Sequence, residues 1–327
     1  MENDVLKNPG DKNKIPLIII SGATGVGKTE LSISLAKSVN GEIISADSMQ
    51  VYRKFDIGTA KITPEEMSGV PHHLIDILEP DQEFNIYEFK RYTRSAIEKI
   101  VSRGHIPIIV GGTGFYIQSV LYDIQFDEES GDKAYRESLE QLARDKGAEY
   151  LHEMLKNVDP DSAEAIHPNN VKRVIRALEY YNETGEQISV HNSREKDRVS
   201  PYNFAYFVLN RDRNTIYERI NRRVDMMMEA GLAEEVRGLL DQGVDPSWQS
   251  MQGIGYKEIV PYIRGDVTLD SAVETLKQNT RHFAKRQNTW FKREKDVCWV
   301  NYEDFQDNAQ MLEFLVNYVK GRGILNV

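Results

Sequence analysis

The residues Gly22-Ala23-Thr24-Gly25-Val26-Gly27-Lys28-Thr29 carry the clearest chemical signal in this 327-residue chain. They fit G-x-x-x-x-G-K-[ST] without deviation. Glycines in this pattern let backbone N–H groups turn inward around phosphate oxygens. A helix that starts at the end of the loop adds the partial positive charge of its N-terminus. Lys28 supplies a point charge, and the Thr29 hydroxyl can hold Mg²⁺. The motif predicts phosphate binding, but not which phosphate is bound or which bond breaks.

A carboxylate, Asp47, opens the segment Asp47-Ser48-Met49-Gln50 just past a second apolar run. In open α/β sheets, ligands sit at the carboxyl ends of the strands. There Asp47 could act as a general base or position a metal-bound water. It could equally cap a helix, since Asp and Ser are good caps. The histidines of Val70-Pro71-His72-His73 are adjacent on an extended stretch. Their side chains point to opposite faces, which argues against a shared metal and leaves structural or binding roles. A third candidate is the basic stretch Lys277, Arg281, Lys285, Arg286, Lys292, Arg293 and Lys295, opposed only by Glu294.

These groups need elements to position them. Ile15 to Ile20 reads as a central strand, followed by the Gly-rich loop and a helix over Thr29 to Val39. Glu42 to Ser45 is a second strand, Tyr87 to Ser102 a helix stopped at Gly104, and Ile106 to Val110 a buried strand closed by Gly111-Gly112-Thr113-Gly114. Strands alternating with helices imply an α/β fold, a parallel sheet with helices on both faces. After Ile124 the rhythm changes to helical patterns without a strand. Glu128–Asp132 and Asn192–Ser200 read as polar joints around a helical insertion. Tyr202 to Leu209 returns as a strand. Asn214 to Asp241 is helical with a break near Gly231, Leu269 to Lys292 reads as one long helix, Val297 to Val300 as a strand and Ala309 to Val319 as a final helix. The expected organisation is a loose tail over 1–14, a P-loop NTPase-like α/β core over 15–124 and 199–327, and an all-helical insertion domain over 125–198.

Composition narrows the function classes. An apolar fraction of 40%, a charged fraction of 28% and a mean hydropathy of -0.52 suit an ordinary soluble protein. No apolar run approaches the roughly 18 residues a membrane span needs, and Met1 to Lys14 lacks the apolar core of a signal peptide. The lone Cys298 excludes an internal disulfide and any cysteine-cluster zinc site; a reducing cytoplasm is the simplest home. The net charge of -10 argues against a nucleic-acid partner unless the basic stretch supplies a local surface for one.

Taken in order, the phosphate loop, Asp47 to Gln50, Asp56-Ile57-Gly58-Thr59-Ala60-Lys61, Pro71 to Asp76 and Gly111 to Gly114 resemble the signature of tRNA dimethylallyltransferases, also called tRNA isopentenyltransferases. The resemblance continues through Val171 to Glu179, Arg222 to Met227, Gly253-Ile254-Gly255-Tyr256-Lys257-Glu258 and Lys285-Arg286-Gln287-Asn288-Thr289-Trp290. It covers nearly the whole chain after Lys14.

The resemblance implies transfer of a dimethylallyl group from dimethylallyl diphosphate to N6 of the adenosine 3′ of the anticodon. Gly22 to Thr29 would hold the diphosphate, with Mg²⁺ on Thr29. Asp47 would be the general base, Thr113 would lie near the reacting amine, and Arg223 would bind the diphosphate. The tRNA anticodon stem-loop would meet Asp47, Ser48, Met49, Gln50, Arg136, Val171, Lys172, Arg173, Val174, Ile175, Gly253, Gly255, Tyr256, Lys257, Lys285, Arg286, Gln287 and Trp290. No membrane is implied, and a monomer suffices. Family members from nucleated cells often carry a C-terminal zinc finger; this chain, with one cysteine, lacks it, as bacterial members do.

Blander readings stand beside these. Thr113 could serve turn geometry alone. Arg223 shares its helix with Arg219 and Arg222, and Lys285 and Arg286 could simply solvate another. Met226-Met227-Met228 reads as core packing rather than a prenyl pocket. The competing function is a P-loop kinase of a small metabolite, which has no need of a basic, Trp-containing C-terminal helix. A third is a nucleotide-gated RNA-binding protein without chemistry.

Overall fold

The computed structural model describes residues 14–125, 132–196 and 198–325. The expected tail over 1–14 and joint at 128–132 lie almost wholly outside the described residues. The chain divides into two compact units, Met1–Leu121 with Pro201–Val327, and Tyr122–Ser200.

The first unit is built on six strands: β1 (Ile15–Gly22), β2 (Gly41–Ala46), β3 (His72–His73), β4 (Ile106–Gly111), β5 (Tyr202–Asn210) and β6 (Cys298–Asn301). They form one sheet in the order β3-β2-β4-β1-β5-β6, and every neighbouring pair is parallel. β1 is central, as its unbroken apolar run requires, because a parallel strand buried on both faces has no polar side. The helices are α1 (Lys28–Val39), α2 (Pro64–Met67), α3 (Ile86–Ser102) and α4 (Gly114–Leu121) before the insertion. After the insertion and its five helices come α10 (Arg213–Glu229), α11 (Leu232–Asp241), α12 (Tyr256–Arg264), α13 (Leu269–Phe291) and α14 (Asn308–Gly321).

Alternation along the strands fills both faces. Ile18 and Ile20 of β1, Ile43, Ile108 and Phe207 pack with Leu31 and Leu35 of α1 and Met311 and Leu315 of α14. On the other face α3 lies against β2 and β4, and α13 against β1. Each fully buried Ile or Leu contributes on the order of 1.5–3 kcal/mol.

At the β3 edge a buried carboxylate joins three elements. Glu42 is 2% exposed. It takes two hydrogen bonds from Arg103, at 3.2 and 2.7 Å, and lies 2.7 Å from His73 Nε2 and 2.7 Å from His105 Nδ1. Burial alone would raise its pKa. The hydrogen bonds from Arg103, His73 and His105 reverse that and bring it down to about 2. His73 points to Glu42, while His72 bonds the Val70 carbonyl at 2.8 Å, the opposed orientation expected of adjacent strand residues.

The second unit is helical: α5 (Lys133–Lys146), α6 (Ala148–Val158), α7 (Pro160–Ala165), α8 (Val171–Thr184) and α9 (Ile188–Lys196). Leu139, Leu151, Leu155, Val174, Ile175 and Leu178 form its core. Here one sequence expectation needs correction. The polar composition of Asn192 to Ser200 predicts a joint, but α9 runs to Lys196. Its start is held by a fully buried Asp159, whose oxygens accept from Ser189 N at 3.0 Å, Ser189 Oγ at 2.7 Å, Ser162 N at 3.0 Å and Ser162 Oγ at 2.7 Å. Polar composition concealed this helix because its anchor lies 30 residues upstream.

Glu42 gives a testable expectation for stability. Glu42→Gln should lower unfolding free energy at pH 7 by about 1–3 kcal/mol, the usual scale for disrupting a buried charged hydrogen-bond hub. Because the folded pKa is depressed from 4.5 to about 2, the carboxylate's contribution is complete above pH 4.5 and fades as pH falls through 2. The gap between parent and variant in urea melts should therefore close over that window. A gap that persists unchanged to pH 2 would mean the charge is not what stabilises this edge.

Candidate active site

A cavity of about 530 Å³ lies in the first unit, lined by Lys28, Thr29, Asp47, Thr113, Arg223 and Arg286 among others. It opens beyond the carboxyl ends of β1, β2 and β4, where a parallel sheet places its ligands.

The loop after β1 is held in shape from outside. Gly22, Gly25 and Gly27 have φ of 140°, 81° and 112°, a region that side chains with a Cβ avoid. A Cβ on Gly22 would stand 2.5 Å from the Leu209 carbonyl oxygen, so glycine is required there twice over. Arg219 Nε donates to the Gly25 carbonyl at 2.7 Å, Arg211 Nε to Val26 at 2.9 Å and Tyr302 Oη to Gly27 at 3.0 Å. The Arg211 guanidinium also stacks 3.4 Å over the Tyr302 ring. Tying the Val26 and Gly27 carbonyls outward turns the N–H groups of Gly27 and Lys28 the other way, which is what an anion cradle needs, while the Val26 N–H closes a turn on the Ala23 carbonyl at 3.3 Å.

Lys28 Nζ donates to the Gly22 and Ala23 carbonyls at 2.9 and 3.0 Å. Burial lowers its pKa, Arg223 lowers it further, and Asp47 opposes both, giving about 8 in place of 10.5. Arg223 keeps contact with solvent. Burial in the cavity and then Arg219 lower its pKa, while Asp47 and Glu66 raise it. Lys28, Arg219 and Arg223 thus crowd like charges around one loop, an arrangement that a bound polyanion relieves.

Asp47 Oδ1 accepts from Met49 N at 2.8 Å and Gln50 N at 3.3 Å. The sequence allows a helix cap here, but no helix follows Asp47; its Oδ1 instead closes the turn over Ser48 to Gln50. Among the described residues the other oxygen accepts no hydrogen bond, and Asp47 lines the cavity with Lys28 and Thr113. Turn closure and chemistry are compatible in one carboxylate. Thr113 receives the N–H groups of Tyr116 and Ile117 on its carbonyl, which starts α4 and leaves its hydroxyl outside that role.

The segment Asp56 to Lys61 is held by groups the sequence did not single out. Glu235 of α11 accepts from the N–H groups of Asp56, Ile57 and Gly58 at 3.2, 2.8 and 3.1 Å, and from Tyr256 Oη at 2.6 Å. Tyr256 is fully buried, and a Cβ on Gly58 would stand 2.6 Å from its ring. Gly255, at φ 109°, starts α12 with its N–H bonded to Glu258.

The residues assigned to RNA by resemblance separate into distinct environments. Ser48, Met49, Gln50, Gly253, Lys257, Arg286 and Gln287 line the cavity, and Lys285 is exposed beside them on α13. Tyr256 is sealed in the interior, where its side chain packs against Phe55 and bonds Glu235. Trp290 is only partly exposed and packs edge-on against Phe115, with ring centroids 5.9 Å apart.

In the second unit, taken alone, Val174 and Ile175 are 0% and 4% exposed. Their side chains belong to the helical core, because α8 turns that face inward. Val171 is partly buried on the same face. Lys172 and Arg173 face solvent. Arg136 forms a two-pronged bond with the buried Glu179, at 2.6 and 2.9 Å.

Met226-Met227-Met228 also needs correction. None is buried, and Met226 is 58% exposed. The buried stripe of α10 is Ile216, Ile220 and Val224, which leaves Met227 to line the cavity. Arg211, Arg219, Glu235 and Tyr302 were missed because each reaches the loop it braces across at least 177 residues. No local pattern marks such pairings.

The family model described as IPP transferase matches residues 50–294. A tRNA dimethylallyltransferase of Lachnoclostridium phytofermentans is 58% identical over 95% of this chain and 99% of its own length. One from Bacillus cytotoxicus is 50% identical over 93% and 96%. Among solved structures, a tRNA isopentenylpyrophosphate transferase of Bacillus halodurans matches with TM-score 0.71 and 44% identity over 95% of this chain and 98% of its own. A eukaryotic dimethylallyltransferase acting on tRNA matches with TM-score 0.81 and 31% identity over 94% and 80%. With the phosphate loop, Asp47 and Thr113 on one cavity and this likeness along nearly the full length, the chain belongs to the IPP transferase family.

Proposed function

We propose that the protein transfers a dimethylallyl group from dimethylallyl diphosphate to N6 of the adenosine 3′ of the anticodon in tRNA. The observation that carries the reading is the meeting, in one cavity, of a braced phosphate loop, a carboxylate and the Thr113 turn. The carbon–oxygen bond of the donor breaks, and its electron pair leaves with diphosphate. The N6 lone pair forms the new carbon–nitrogen bond, and Asp47 takes the proton. Lys28, Arg223 and the inward N–H groups stabilise the charge that grows on the leaving group. An anticodon-loop adenine must leave its stack to enter such a cavity, and unpaired loops allow this at low cost.

Mg²⁺ fits the donor set. Thr29 lines the cavity with a hard hydroxyl oxygen. Such a site suits an ion that takes its remaining oxygens from phosphate and water. The Thr29 hydroxyl would hold it, and when bound it supplies positive charge to the leaving diphosphate. No described helix is long and apolar enough to cross a membrane. The tRNA substrate points to a cytoplasmic enzyme, and one copy of the chain supplies every group proposed here.

The direct test supplies Mg²⁺, unmodified tRNA and labelled dimethylallyl diphosphate, then looks for N6-prenyl-adenosine after digestion. Labelled ATP with a metabolite panel tests the kinase alternative in parallel; phosphorylated metabolite without prenylated tRNA would reverse the assignment.

Asp47→Asn keeps an oxygen for the Met49 and Gln50 N–H groups while removing basicity. It should leave folding and binding near the parent and slow transfer by roughly 10²–10⁴-fold in single-turnover assays. A rate close to the parent would restrict Asp47 to its turn-closing role.

Lys285→Ala with Arg286→Ala should weaken tRNA binding and reduce the slope of log K against log salt by about 1.4–1.8. The same slope in both proteins would mean these charges only solvate α13.

A further inference from the structure

We propose that Gln287 is a positioning residue for the transfer, its side-chain amide setting the spacing between the loop that holds the diphosphate and the turn that carries Thr113. The inference rests on the prenyl-transfer reading above.

Gln287 Oε1 accepts from Thr24 N at 2.8 Å, and Gln287 Nε2 donates to the Gly112 carbonyl at 3.0 Å. The two partners lie 263 and 175 residues away in sequence. β1 and β4 are neighbours, and their register runs from Ile18 opposite Ile108 to Ser21 opposite Gly111. Beyond that pair the ladder ends, and the two chains depart in different turns. The amide bridges them just past the last paired residues. A donor N–H on one side and an acceptor carbonyl on the other match the two ends of one primary amide.

The fit is close. Gln287 is 7% exposed. A Cβ on Gly112 would stand 2.0 Å from Gln287 Nε2, and one on Gly114 would stand 2.2 Å from the Trp290 ring. Ala284, one turn earlier on α13, packs with Ala23 of the phosphate loop. The last turns of α13 therefore seat against both loops at once. In this reading the diphosphate end of the donor is referenced to Thr24 and the acceptor amine to Thr113, with one side chain between them. Displacement of reacting groups by about 1 Å can cost on the order of 10²-fold in rate. A residue holding that distance acts on the transfer step more than on binding. Resemblance alone would place Gln287 among RNA contacts, whose loss acts on tRNA affinity.

The test compares Gln287→Glu and Gln287→Met with the parent in single turnover at saturating tRNA and dimethylallyl diphosphate. Gln287→Glu keeps the acceptor arm and loses the donor arm; Gln287→Met loses both at similar length. Transfer should slow by about 10–100-fold. The tRNA Kd and the inorganic diphosphate Kd, measured separately, should stay within about threefold of the parent. A parent-like rate overturns the proposal. So does a loss confined to tRNA affinity, or a loss of stability with an unchanged rate per folded molecule.

Gly112→Ala provides a check independent of those variants. Its methyl should displace the Gln287 amide and slow the parent by about tenfold or more, yet cost less than about threefold in a Gln287→Ala background, where no amide is left to meet. Losses that simply multiply would overturn the proposal. Absence of label in tRNA with the parent enzyme defeats the prenyl-transfer reading first, and this inference with it.

Discussion

The orientation of a few peptide planes between Gly22 and Thr29 governs everything else at the cavity. A backbone N–H can hold a phosphate oxygen only if its plane is turned inward, and the three glycines with positive φ make that turn possible. Possibility is not enough, since glycine loses the most conformational freedom on folding. The carbonyls of Gly25, Val26 and Gly27 are therefore each taken by a side chain from another element, Arg219, Arg211 and Tyr302. The hydrogen-bonding demand of the carbonyls is what holds the loop open.

That solution has an electrostatic consequence. Lys28 is enclosed by the braced loop, and that burial, with Arg223 adding to it, brings its pKa down to about 8. Asp47 is the counterweight within reach. Its effect on Lys28 and Arg223 makes it part of the phosphate field as well as the candidate base. The same carboxylate caps its own turn through Oδ1, which fixes the direction of the group without consuming both oxygens.

The second unit follows a different logic. Its stability lies in a small apolar core and in polar anchors, Asp159 with its two serines and Glu179 with Arg136. The segment 171–175 divides accordingly. Val174 and Ile175 build the unit, and Lys172 and Arg173 face solvent. One short segment thus mixes side chains that pack with side chains that reach solvent. Burial separates them.

Sequence alone determined the local chemistry and the layered architecture. The phosphate loop, the central strand, the alternation of strands and helices, the length of α13 and the break at Gly231 all follow from periodicity, turn residues and spacing within about 20 positions. Asp47 stood out because it lies just past a strand end, whereas Thr113 was marked only by the family resemblance; both line the cavity. Tertiary structure decided which distant groups complete the site. Glu235 closing on Asp56 to Gly58, Arg211 and Tyr302 on the loop, and Gln287 between Thr24 and Gly112 depend on sheet order and on the rotation of each helix about its axis. The same rotation turned Val174 inward and left Met227 on the cavity wall. A hydrophobic pattern sets which face of a helix is buried only approximately. One residue of phase is about 100°, enough to exchange a core side chain for a ligand contact.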